Sequence, residues 1–239
     1  MKVIIWTIIY SLIMTINCLA SLSIQQKDNL SNIINDYYKD NDIQGLSVSV
    51  VNDNEILLHK NIGYLDIKQM KPVTSNSLFK VTNITQILTA LMVLDLEKKT
   101  KLKLTDSIQK YIPELSARHF KDITIQDLIQ HYSGISRDYW ACSFHVITCT
   151  EKDFLNFINT EEPIYSIEEK IYNYSNNGYI ILGILIERVT NQTFELYARN
   201  YLSNKLKLEN SHYKINQPKV YKNYKESNDI KTDGIFLPS

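Results

Sequence analysis

Ser77–Lys99 reads SLFKVTNITQILTALMVLDLEKK. A short extended lead-in runs into a long, almost wholly apolar helix. Ile84, Ile87, Leu88, Leu91, Met92, Leu94 and Leu96 cover most of its circumference, which predicts burial on several sides. Asn83 stands where the helix begins, and its side-chain oxygen is expected to cap the first turn. Lys98 and Lys99 close the helix, where cations suit the negative end of its dipole. A capped helix that starts inside a domain can present a reactive side chain on its first turn.

Upstream, Leu30, Ile33, Ile34, Tyr37 and Tyr38 recur at helical spacing and predict an amphipathic helix over Lys27–Asp40. Gly45 opens the alternating strand Leu46–Val51. Asn52-Asp53-Asn54 makes a tight turn, and Glu55–Lys60 returns as a second strand, giving a β-hairpin that Ile62–Leu65 continues.

Downstream, Leu102–Leu115 reads as a loop with a short helix stopped at Pro113. Thr124–Asp127 caps a helix through Leu128, Ile129 and His131, with Gly134 as its stop. Ser136–Thr150 is an aromatic loop and Glu151–Ile158 a short helix. Pro163–Ile171 leads into Tyr174-Ser175-Asn176, ahead of a second strongly apolar helix, Asn177–Val189. Thr193 caps a third, Phe194–Leu202, and the chain is polar and tyrosine-rich from Lys207.

The 239 residues suffice for one large domain or two small ones. Lysine plus arginine equals aspartate plus glutamate at 26 each, so the basic surplus of a nucleic-acid binder is missing. No cofactor motif stands out. Cys142 and Cys149 by themselves make a poor zinc site. In an oxidising compartment they could pair as a loop disulfide; two unpaired thiols fit equally well.

The first residues look like a processing signal. Lys2 supplies the positive end, Val3–Ile16 the apolar core, and Cys18-Leu19-Ala20 a small-residue cleavage site. An uncleaved anchor is the alternative. The apolar core falls short of the roughly 20 residues a spanning helix needs, which favours cleavage after Ala20 and an exported, periplasmic or secreted product. The remaining chain, 24–239, is then the functional domain.

FKVTNITQILTALMVLDLEKKTKLKLTDSIQKYIPEL (79–115), ITIQDLIQHYSGI (123–135) and IYNYSNNGYIILGILIERVTNQTFELYARNYLSNKLKLENSHY (171–213) together resemble the serine β-lactamase-related family. That family groups class C β-lactamases, D-alanyl-D-alanine peptidases and related esterases. The resemblance implies an α/β (α+β) fold with an antiparallel sheet, helices against it and a helical subdomain. It also implies acyl transfer: a serine in Ser-x-x-Lys opens the catalytic helix, the lysine helps deprotonate it, and a Tyr-x-Asn element and a Lys-x-Gly strand complete the site. His131 matches a family position of structural role.

By that resemblance, the serine position falls on Asn83 and the lysine position on Gln86. An amide is neither a nucleophile nor a base, so both chemical functions are lost while size and hydrogen-bonding capacity stay similar. Tyr174 and Asn176 are retained. The family's C-terminal strands find no match, and Lys231-Thr232-Asp233-Gly234 carries an extra residue against Lys-Thr-Gly. The resemblance therefore implies an inactive, C-terminally incomplete relative. Its alternatives are a pseudoenzyme that holds peptidoglycan stem peptide or a β-lactam-like ligand, and a hydrolase using the displaced Ser77 of Ser77-Leu-Phe-Lys80. The Leu46–Lys60 hairpin has an open edge that could pair with a partner chain completing the sheet.

Overall fold

The computed structural model describes residues 22–52, 55–139 and 150–211. They fall into two compact units, the first ending at Phe79 and the second starting at Lys80. The signal-like residues 1–20, Cys142, Cys149 and Lys231–Gly234 lie outside the described residues.

The first unit opens with α1 (Ile24–Asp40). The helix starts three residues ahead of the expected Lys27, because Ser23 and Gln26 form a reciprocal capping box. Its stripe is narrow: Ile34 is buried, while Ile33 and Tyr37 are exposed. β1 (Gly45–Val51) and β2 (Ile56–Asp66) form the expected antiparallel hairpin, with Ser47 opposite Asn61 and Ser49 opposite His59. Asn52 closes the turn, its Oδ1 accepting from the Glu55 amide at 2.8 Å. β2 runs unbroken past Lys60, and β3 (Lys71–Pro72) pairs with its far end. Among the described residues the order β1-β2-β3 leaves one side of β1 without a partner strand.

The second unit is helical. α2 (Ile84–Lys98) is followed by 3-10 turns at Ile108–Lys110 and Arg118–Lys121, then by α3 (Ile125–Ile129), α4 (Glu151–Ile158), a 3-10 turn at Ile167–Glu169, α5 (Asn176–Thr190) and α6 (Phe194–Asn200). A π turn, Tyr201–Lys205, ends the run where the sequence predicts continued α-helix to Leu202. α5 is the hub and packs on α2, α3 and α6. Its residues from Asn177 to Ile186 are all buried, as an apolar helix surrounded by others requires. Phe120, Phe154, Ile108, Ile112 and Leu115 fill the core beside it, each contributing about 1.5–3 kcal/mol through burial.

Two expectations for α2 need correction. The helix is one-sided: Met92, Val93 and Leu96 are buried, whereas Ile84 and Ile87 are 56% and 60% exposed, and Leu91 and Leu94 are exposed on the same stripe. Asn83 is also no side-chain cap. It has helical angles, φ −65° and ψ −14°, and its side chain makes no capping bond. The reason is local. Ile84, Thr85 and Gln86 donate their amides to the carbonyls of Val81, Thr82 and Asn83, so a tightened first turn uses the donors a cap would need. Thr82, at φ +40°, turns the chain into this entry.

The stop at Gly134 is likewise displaced. α3 ends at Ile129, and His131 already takes a left-handed conformation at φ +61°. Gly134 serves the next turn at φ +69°, where a Cβ would lie 2.2 Å from the Tyr165 carbonyl oxygen.

Candidate functional site

α2 and α5 bring the sequence-predicted residues together at their first turns. Gln86 lies on the buried face of α2, one turn after Asn83. Asn176 is the first residue of α5, and Tyr174 stands two residues before it. The Gln86 Nε2 group donates to the Tyr174 hydroxyl at 2.8 Å and to Asn176 Oδ1 at 2.8 Å. The Tyr174 hydroxyl in turn donates to Asn176 Oδ1 at 2.9 Å, closing a triangle. Asn83 makes no side-chain hydrogen bond to this group; its link is the backbone bond from the Gln86 amide to its carbonyl.

The direction of each bond follows from chemistry. Asn176 Nδ2 faces Asp138 Oδ1 at 2.6 Å, and a carboxylate only accepts. Asn176 must therefore turn its Oδ1 toward Gln86 and Tyr174, and Gln86 must present its NH₂. Asp138 is held in place by Arg137, whose Nε lies 3.2 Å from Asp138 Oδ2. The Arg137 guanidinium also sits over the Tyr174 ring, 5.5 Å from its centroid.

A second set of bonds fixes the backbone that carries Tyr174. Asn173 donates its amide to the His131 carbonyl at 2.8 Å and its Nδ2 to the Ile135 carbonyl at 2.9 Å. Ser175 donates its amide to His131 Nδ1 at 3.1 Å. The Ser175 hydroxyl donates to the Ser136 carbonyl and caps α5 by accepting from the Gly178 amide, both at 2.9 Å. The Asn176 amide and Asn177 Nδ2 reach the carbonyls of Arg137 and Ser136. Residues 131–138 thus form a cradle for residues 173–177. Earlier still, Lys170 pairs with the buried Asp127 at 2.5 Å, tying the approach to Tyr174 onto α3.

Burial pushes the Tyr174 phenol above its ordinary value. The Gln86 hydrogen bond and Arg137 oppose that rise, while Asp138 and Tyr172 add to it. The hydroxyl therefore stays protonated near neutral pH, consistent with its role as donor to Asn176. A neutral amide at position 86 supplies no charge to draw the proton off.

Sequence reasoning misses Arg137 and Asp138. Their signal is an adjacent opposite-charge pair at the start of an otherwise aromatic loop. Ser77 has a turn role in the first unit: its Oγ accepts from the Thr74 amide at 2.8 Å. Ser107 caps the 3-10 turn Ile108–Lys110. Among the described residues no cluster of three or more His, Cys, Asp or Glu is placed to hold a metal ion. No described helix is long and apolar enough to cross a membrane.

The chain is similar to Protein flp of Staphylococcus aureus (strain MW2), at 25% identity over 193 residues, which is 78% of this chain and 37% of that protein. It is similar to Penicillin-binding protein 4* of Bacillus subtilis (strain 168), at 27% identity over 62% of this chain and 33% of that one. The chain thus spans little more than a third of the curated relatives it matches. Among solved structures, a class C β-lactamase superposes with a TM-score of 0.69 at 22% identity, covering 79% of this chain and 51% of that one. The class C β-lactamase from Rhodobacter sphaeroides gives 0.65 at 18% identity, over 74% and 48%. These likenesses support the expected fold of helices with an antiparallel sheet. The family model described as Beta-lactamase matches residues 30–231, most of the sequence, and the chain belongs to that family of β-lactamase- and penicillin-binding-like serine hydrolases.

Proposed function

We propose that this chain is a non-acylating member of its family that keeps the Tyr174–Asn176 part of the site as a ligand-binding surface. One observation carries this reading: a neutral amide, Gln86, occupies the corner of the hydrogen-bonded triangle where the family chemistry requires an ammonium. Asn83, in the serine position, has no hydroxyl to acylate. The triangle nonetheless remains fully hydrogen-bonded, so the surface is built without being reactive. A β-lactam-like molecule, in keeping with the names of the relatives, or a D-alanyl-D-alanine stem peptide, in keeping with the family resemblance, is the ligand class proposed. Export with cleavage after Ala20, and pairing of a partner chain with the free side of β1, complete the proposal.

The alternative is turnover through the displaced Ser77. The turn bond from the Thr74 amide to Ser77 Oγ favours a structural role for that hydroxyl. Incubation with a fluorescent penicillin, followed by denaturing electrophoresis, tests the choice. No covalent band is expected. A band abolished by Ser77→Ala would establish the displaced nucleophile and overturn non-acylation. For binding, the melting temperature is expected to rise with a β-lactam or a D-alanyl-D-alanine peptide. No shift across such a panel would overturn the binding part.

A further inference from the structure

We propose that His131 is a positioning residue for the Tyr174–Asn176 element, and that its ring holds the Ser175 end of this element only while it is neutral. The inference rests on the reading of that element as a binding surface. His131 bonds on both sides of Tyr174: its carbonyl accepts from the Asn173 amide at 2.8 Å, and its Nδ1 accepts from the Ser175 amide at 3.1 Å. Between these bonds the imidazole packs on the Tyr174 ring, with centroids 4.7 Å apart and planes at 33°. The left-handed φ of +61° is uncommon for a non-glycine residue, and only a surrounding structure that over-determines it sustains it. Here the ring and the carbonyl of one residue are both committed to one tripeptide.

The Ser175 amide can only donate, so Nδ1 must carry a lone pair and the proton sits on Nε2. A second proton on Nδ1 would set donor against donor. The bond from Ser175 would be lost, and with it one of the two bonds by which His131 holds the backbone on either side of Tyr174. Ser175 also caps α5 and Asn176 follows it directly, so the loss falls on the triangle with Gln86.

The groups facing the ring are aromatic. Tyr172 and Tyr174 come from the incoming strand-like segment and Tyr179 from α5, with Tyr132 in edge contact with Tyr172. The nearby charges are engaged elsewhere: Asp138 with Asn176 and Arg137, Arg137 over Tyr174, and Asp127 with Lys170. Burial lowers the proton affinity of the imidazole, and among the described residues no carboxylate counters it. The clamp is therefore closed at neutral pH and opens on acidification below the ordinary histidine value of about 6.5.

The test is an NMR titration of the ligand-free full chain, labelled with ¹⁵N. The Ser175 amide resonance is expected to shift with the same midpoint as the His131 ring. Its exchange protection should fall about tenfold per pH unit below that midpoint, tracking the neutral fraction of the ring. In His131→Asn, whose side-chain oxygen can accept in place of Nδ1, the Ser175 response should be flat. A Ser175 amide that ignores the His131 titration would overturn the proposal, as would an unchanged response in His131→Asn. If that variant does not fold, the wild-type titration alone decides. The measurement uses no ligand, so failure of ligand binding and failure of the clamp are read separately.

Discussion

Gln86 and Tyr174 meet through a 2.8 Å hydrogen bond in which the amide donates to the phenol oxygen. The same Nε2 group serves Asn176 Oδ1. A lysine ammonium has donors enough for both acceptors, and so does a primary amide. What differs is charge, and that makes position 86 informative in two separable ways.

Removing the donors should cost stability. Gln86→Met keeps the length of the side chain but leaves Asn176 Oδ1 one donor short and the Tyr174 oxygen without its own. Gln86 is only 6% exposed, so water cannot easily replace the lost bonds. A loss of about 2 kcal/mol is expected in urea denaturation. Gln86→Lys should stay near wild type, because both acceptors regain a donor. Its ammonium should also lower the Tyr174 titration midpoint relative to wild type, read by ¹³C-tyrosine NMR. A Tyr174 midpoint that does not move in Gln86→Lys would mean the lysine does not enter the triangle.

Asp127 and Lys170 should respond unequally. Asp127 is buried and accepts from the Thr124 amide and hydroxyl as well as from Lys170. Lys170 is mostly exposed and can return to water. Asp127→Ala is expected to cost about 2 kcal/mol through the lost capping box and stranded donors. Lys170→Met should cost less than Asp127→Ala, because the carboxylate keeps its two Thr124 donors. Equal effects in denaturant titrations would show that the ion pair, rather than the cap, dominates.

Acid should release a different anchor. The Asp106 carboxyl is held down to about 2, chiefly by the Tyr111 hydroxyl and then by Lys110. The folded value lies below the unfolded one of about 3.9, so this stabilisation is present above pH 4 and is lost as pH falls toward 2. Tyr111→Phe removes the leading cause. Its stability difference between pH 6 and pH 2 should be smaller than that of wild type, by urea midpoints at each pH.

Much of this architecture is legible in the residues. α4, read from the sequence as Glu151–Ile158, has the same bounds in the structure. The hairpin follows from alternation around Asn52. α5 follows from its apolar run, and the meeting of Gln86, Tyr174 and Asn176 from family spacing. What is not legible depends on where neighbouring groups send their bonds. Asn83 is a good cap by type, yet the backbone around Thr82 satisfies the donors first. Gly134 is a good helix stop by type, yet His131 takes the left-handed turn because its carbonyl and ring have partners at Asn173 and Ser175. Asp138 acquires meaning only when Asn176, 38 positions away, arrives beside it.

The entry to α2 offers the last separation of residue type from residue role. Asn83 caps nothing with its side chain, so Asn83→Ala should change stability by less than about 0.5 kcal/mol. Thr124 does cap α3, with its hydroxyl accepting from the Asp127 amide, and Thr124→Ala should cost about 1 kcal/mol. Thr82 holds φ +40°, which is unfavourable for a β-branched residue. Thr82→Gly should therefore stabilise the chain by about 0.5 kcal/mol, the relief of left-handed strain outweighing the extra freedom of the unfolded glycine. Thermal and urea denaturation of the three variants measure all of this directly. If Asn83→Ala instead costs as much as Thr124→Ala, the side chain of Asn83 is a working cap in solution, and the tightened first turn would not be what satisfies the helix.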